Sequence, residues 1–138
     1  MKDAQKTIGA IVDKQKICYI SYLDEDGYPQ TRAMLRPRER EGIKTFYLST
    51  NTSSNKVGRF IQNGKACLYF SDTRFYRGVC LRGTVEVLQT EEAKRRIWRT
   101  GDTMYYKKGV TDPDYCVLKF TAEKGRYYSA FKNEDFEV

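Results

Sequence analysis

The chain contains no histidine. That absence excludes Ser-His-Asp triads, imidazole proton shuttles and every His-containing zinc site. No window approaches the roughly 20 apolar residues of a membrane span. The opening MKDAQKTIGAIVDK has no secretory-type apolar run and carries an aspartate at once, so it does not read as a signal peptide. GxSxG, Walker, GxGxxG and HExxH patterns are all missing. No repeat, low-complexity tract or Pro/Gly/Ser linker divides the 138 residues, which points to a single domain over 1–138. Cysteine is scarce and dispersed. Cys18, Cys67, Cys80 and Cys116 form no CxxC and sit in apolar or aromatic stretches. They read as buried, reduced thiols packed as small apolar residues in a cytoplasmic protein, with no metal site.

What is present is a globular balance, 40% hydrophobic and 31% charged, with a net charge of +7. A basic surface attracts anions: nucleic acid, phosphorylated small molecules or acidic partners. Its densest clusters are Arg32, Arg36, Arg38 and Arg40, then Lys94, Arg95, Arg96 and Arg99. The plain reading of each is a solvated face.

Periodicity predicts a helix over 3–15, where Ala4, Ile8, Ile11 and Val12 share a face. ICYISYL (17–23) and residues 28–36 form a hairpin around Asp24-Glu25-Asp26-Gly27, with Pro29 marking an edge strand. A charged turn, Arg38 to Gly42, precedes a strand over 43–49, and a short helix over 54–63 starts at Ser54 as N-cap. A strand follows over 65–71. The period-2 run 79–88 is the clearest strand, and Gly83 within it marks a bulge or the close approach of another backbone. Thr90 caps a helix to about Thr100. A loop over 102–114 and two last strands, 115–121 and 126–131, follow, with Gly125 as the turn between them. About seven strands in hairpins with short helices between them describe a mainly β (α+β) antiparallel barrel or sandwich.

Two stretches carry candidate chemistry. TNTSSNK, Thr50 to Lys56, puts four hydroxyls and one ammonium at the start of a helix. Free N–H groups, the helix dipole and those side chains together suit a phosphate dianion; a capped helix with a solvated loop is the plain alternative. Arg32-Ala33-Met34-Leu35 places an arginine at a strand centre, either on a wet face or as a planar donor to phosphate or a carbonyl-rich ring. The acids Asp24, Glu25, Asp26, Asp112 and Asp114 read as solvated turn formers. Trp98 lies at the edge of a buried stripe, packed there or covering a pocket or subunit contact.

In order and spacing these segments resemble the pyridoxamine 5'-phosphate oxidase-like, FMN-binding split-barrel proteins, most closely their short general stress protein 26-like branch. The segments are GYPQTRAM, FYLSTNTSSNK, NGKACLYFSD, VCLRGTVEVL, a helix ending in IW, and GVTDPDYCVLKFTAEKGRYYS. They cover roughly residues 5–131. The resemblance implies a six- to seven-stranded split barrel that dimerises, with FMN held non-covalently at the subunit interface. It places Arg32 near the phosphate and ribityl chain, and Ala33, Met34 and Leu35 along the isoalloxazine edge. Ser49, Thr50, Ser54 and Lys56 match the family's phosphate site. Asn55 stands where the oxidases carry an arginine, and Gly78 where they carry a glutamine. The chain also lacks the C-terminal arginine-histidine segment that holds pyridoxal phosphate, so pyridoxal phosphate synthesis is not expected.

The leading expectation is an FMN-dependent oxidoreductase acting on an unidentified small molecule. No side chain is an obvious general acid or base, although Tyr47, Tyr69 or Tyr105 could stack on the ring or substrate. The alternatives are a flavin-storing stress protein without turnover, a deazaflavin or haem binder, and a nucleic-acid-binding β-barrel. Against the last, the long strand shows no repeated aromatic–basic pairs.

Overall fold

The computed structural model describes residues 1–138. It contains an eight-stranded antiparallel sheet curled into an open barrel. The strands are β1 (Ile17–Leu23), β2 (Pro29–Leu35), β3 (Glu39–Glu41), β4 (Thr45–Asn51), β5 (Lys65–Asp72), β6 (Arg77–Leu88), β7 (Tyr115–Ser129) and β8 (Lys132–Glu137). The order is β2-β1-β5-β6-β7-β4-β3, with β8 paired to β7. Pro29 therefore starts an edge strand, as its missing N–H requires. No helix is long and apolar enough to cross a membrane.

Strand alternation builds the core. Cys18, Ile20 and Tyr22 of β1, Leu68 and Phe70 of β5, and Leu81 and Val85 of β6 meet Phe46, Leu48, Leu118 and Phe120 of β4 and β7. Helix α1 (Ala4–Lys14) adds its buried stripe Ile8, Ile11 and Val12 to this core, and Asp3 caps it by accepting from the Lys6 N–H. The other face of β4 and β7 holds a second cluster of Tyr47, Ile97, Tyr106, Tyr115 and Val117. It lies under α3 (Glu91–Ile97) and two 3-10 turns, Thr100–Met104 and Gly109–Thr111. Trp98 packs at the edge of this cluster, its ring 5.2 Å from that of Tyr115.

The bulge at Gly83 is present, with a register shift between Arg82 and Gly83. A Cβ at Gly83 would lie 2.0 Å from the Thr121 carbonyl oxygen, so the backbone approach admits only glycine.

Four expectations need correction. Gly125 is not a turn: β7 runs straight through it, because the Phe136 ring of β8 packs where its Cβ would be, 2.2 Å away. The turn falls instead at Ala130 and Phe131, both in the left-handed region (φ 50° and 64°). The charged turn after Arg38 contains the short strand β3, which pairs with β4. The basic clusters are mostly engaged rather than simply solvated. Arg38 pairs with Asp102, Arg40 with Asp13, Arg95 with Glu91 and Arg96 with Glu39 and Glu41, while buried Lys94 donates to the Asp112 carbonyl. Finally, Cys18 and Cys116 are buried as expected, but Cys67 and Cys80 are only half-buried.

Candidate functional site

At the end of β4 the chain turns through Thr52 and Ser53 into helix α2 (Asn55–Gln62). Asp114 fixes that turn. Its carboxylate accepts from the Ser53 N–H (2.8 Å) and the Asn51 side-chain amide (3.0 Å), and its carbonyl from the Thr52 N–H (2.7 Å). These donors, the Ser53 N–H foremost, hold the Asp114 carboxyl below the usual carboxylate range. Asp114 is thus a positioning residue for the loop rather than a solvated turn former.

Ser54 occupies the N-cap but makes no side-chain capping bond. Its hydroxyl instead accepts from Lys56 Nζ at 2.9 Å. Lys56 is 8% exposed, and no carboxylate lies within ion-pairing distance of it. Burial pushes its pKa down; Cys116 opposes that shift and Arg32, from β2, adds to it. Lys56 and Arg32 therefore lie near enough to feel each other's charge, and Lys56 has no acid paired with it. The Thr52 hydroxyl is buried and has no hydrogen-bond partner. Like Lys56, it neighbours Cys116. An unpaired buried ammonium and an orphaned buried hydroxyl are both costly unless something satisfies them. With the Asn55 and Lys56 N–H groups in the helix's first turn, they could hold an anion with several acceptor oxygens. Phosphate is one anion of that kind.

Arg32 donates only to the Thr31 carbonyl, at 3.2 Å, and lines a 440 Å³ cleft with Tyr22, Gln30, Asn55, Arg59 and the turn acids Asp24, Glu25 and Asp26. Arg59 was not singled out from the sequence. It stands one turn after Asn55, and the i,i+4 spacing brings its guanidinium into the same cleft, where it donates to the Leu23 carbonyl. Thr52 was seen only as one of several hydroxyls.

The remaining expected residues divide between faces. Met34 lies in the core, on the same face of β2 as Arg32, whereas Ala33 and Leu35 are exposed on the opposite, outer face. Thr50 follows Phe46 and Leu48 towards the core, and Ser49 follows Tyr47 to the other side. The structure thus brings Arg32, Ser54 and Lys56 together, while the side chains of Ser49 and Thr50 diverge. Tyr47 lies buried beneath the Arg96 guanidinium, 4.3 Å from its ring centre; Tyr105 is exposed, and Tyr69 is on the outer face. That face, across β2, β1 and β5, exposes Ile17, Tyr19, Leu23, Leu35 and Tyr69.

An open antiparallel barrel with a phosphate-type cradle between a strand and a short helix defines a class of cofactor-binding split barrels. The pattern described as pyridoxamine 5'-phosphate oxidase matches residues 4–129, so the chain belongs to that family. No curated protein matches it. Among solved structures it is similar to a Clostridium acetobutylicum protein related to general stress protein 26 of the pyridoxinephosphate oxidase family. The two are 40% identical, with a TM-score of 0.90 over 98% of this chain and 94% of that one. It shares its fold with general stress protein 26 from Bacillus anthracis (16% identity, TM-score 0.79, 97% and 98% covered). It also shares it with a heme binding protein from Mycobacterium smegmatis (14% identity, TM-score 0.78, 99% and 59% covered).

Proposed function

We propose that this protein is an FMN-binding flavoprotein whose phosphate site is the loop between β4 and α2, and that it acts as an oxidoreductase on a small molecule. The observation that carries this reading is Lys56, a buried ammonium bonded only to Ser54, with Arg32 nearby and no acid to neutralise it. Lys56, Ser54, Thr52 and the first-turn N–H groups of α2 bind the phosphate. Arg32 and Arg59 line the cleft through which the rest of the cofactor would pass. Bound FMN would supply the electron-transfer chemistry, and the protein its position and electrostatics. A second copy of the chain, docked on the exposed apolar face of β1, β2 and β5, would shield the ring from water.

Storage of flavin without turnover is the second reading. One observation favours it. Asp24, beside Arg32, is already engaged by the Gln30 amide and by the N–H groups of Asp26 and Tyr28, so it is no free acid or base. Titration with FMN followed by anaerobic addition of a nicotinamide donor separates the two. Bleaching of the bound flavin and its reoxidation by an acceptor support the oxidoreductase; bound flavin that no donor bleaches supports storage.

A further inference from the structure

Arg36, Arg38, Arg40 and Arg99 meet in one cleft of 470 Å³, between the end of α1, the start of β3 and the residue before the first 3-10 turn. Val12, Asp13, Pro37 and Glu39 complete its lining. It shares no residue with the Arg32 cleft. It also lies off the face that a second copy would cover. Leu35, the last residue of β2, is exposed on that face, whereas Arg36 turns to the opposite side and donates to the Asp13 carbonyl in the last turn of α1, at 2.7 Å.

The acids of this cleft are already taken, and two of its arginines are not. Arg40 holds both oxygens of Asp13, through Nε at 2.8 Å and Nη2 at 2.7 Å, and its Nη1 donates to the Gly42 carbonyl. Arg40 thereby keeps the Asp13 carboxyl below its usual range, and the charge of Arg36 adds to this. Arg38 binds both oxygens of buried Asp102. Glu39 pairs with Arg96, which stands outside the cleft. Arg36 and Arg99 have no carboxylate partner. Each side chain makes one hydrogen bond, to a main-chain carbonyl: Arg36 to Asp13, and Arg99 to Arg38 at 2.9 Å. A guanidinium carries five N–H donors, so most of each fork stays open while its head is held in place.

We propose that this cleft is a second anion site, separate from the cradle, which binds two linked phosphoryl groups between Arg36 and Arg99, as in inorganic pyrophosphate or a short polyphosphate. A planar guanidinium fork matches one oxyanion, and two forks from distant parts of the chain match a ligand with two. The apolar lining is only Val12 and Pro37, with no aromatic side chain, so a nucleobase or flavin ring finds no stacking platform there. Arg36 and Arg99 are exposed, and salt screens exposed charges. That favours phosphoryl groups, with their higher charge and three acceptor oxygens, over the carboxylates of a dicarboxylic acid.

The test is calorimetric titration with pyrophosphate at physiological ionic strength, in K56M so that the cradle lysine does not contribute. One pyrophosphate should bind per chain. Adding R36Q and R99Q together should weaken binding about tenfold or more. Adding R74Q, which removes an exposed arginine far along the chain in the β5–β6 turn, should leave it unchanged. Succinate should bind more weakly than pyrophosphate. On the unmutated protein, pyrophosphate should protect Arg36 and Arg99, but not Arg74, from modification by phenylglyoxal, a readout that a misfolded variant cannot imitate. The proposal is overturned if K56M shows no saturable binding at millimolar pyrophosphate, or if R74Q weakens it as much as R36Q/R99Q does. It is equally overturned if succinate binds as tightly, or if Arg36 and Arg99 are modified as fast with pyrophosphate as without it.

Discussion

Replacing Lys56 by methionine separates a functional lysine from a structural one. Methionine keeps the length and apolar stem of the side chain and deletes only the ammonium. In the protein without ligand, that ammonium is 8% exposed and has one hydrogen bond, to Ser54 at 2.9 Å. Its removal therefore relieves an unpaired buried charge, and K56M is expected to unfold at higher denaturant by about 1–3 kcal/mol. The sign with pH follows from the lowered pKa. The unfolded chain holds the proton up to about pH 10.4, the folded chain loses it earlier, and wild-type stability rises with pH between those values. K56M should lack that rise. Towards FMN the effect reverses. Losing a charge-assisted bond to phosphate costs about 1.5–3 kcal/mol, or roughly 10–150-fold in Kd. Fluorescence titration with FMN and with riboflavin, which has no phosphate, reads it directly. FMN should bind K56M far more weakly than it binds wild type, with riboflavin unchanged. Equal losses for both ligands, or a destabilised K56M, would refute the reasoning.

Other outcomes follow from the packing. Gly83→Ala forces a Cβ to 2.0 Å from the Thr121 carbonyl and should cost about 3 kcal/mol or more, seen as a lower urea midpoint. Asp102 binds Arg38 bidentately and is almost fully buried, so D102A should cost about 3–5 kcal/mol, while R38M/D102L together recover most of it. Arg40 and Arg77 hold the carboxyls of Asp13 and Asp72 below their usual range. Their stabilisation is complete above the unfolded carboxylate pKa of about 3.9 and is lost as pH falls through the lower folded values. Thermal melts should therefore be flat with respect to these groups from pH 5 to 7 and fall steeply below about pH 4, less steeply in R40Q/R77Q.

The hairpin at Gly27, the edge strand at Pro29 and the bulge at Gly83 were legible because each uses a residue for a local backbone reason. Gly125 misled for the same reason. Its missing side chain serves the packing of Phe136, a contact between strands that no local rule encodes, while the real turn uses Ala130 and Phe131 at a conformational cost. The cradle was legible as a composition of hydroxyls and one lysine before a helix. Its selectivity was not. That Lys56 is buried without an acid, that Thr52 is the orphan, and that Arg59 enters the cleft all depend on how distant segments meet. The same holds for the cysteines, where alternation along β5 and β6, not local hydrophobicity, put two of the four on the outer face.

The most direct test of the phosphate cradle is an absorption spectrum of the purified protein after addition of FMN and removal of unbound flavin. The account predicts a retained flavin spectrum at one flavin per chain and little retention of riboflavin. Complete loss of FMN at micromolar protein, or equal retention of both flavins, would contradict it.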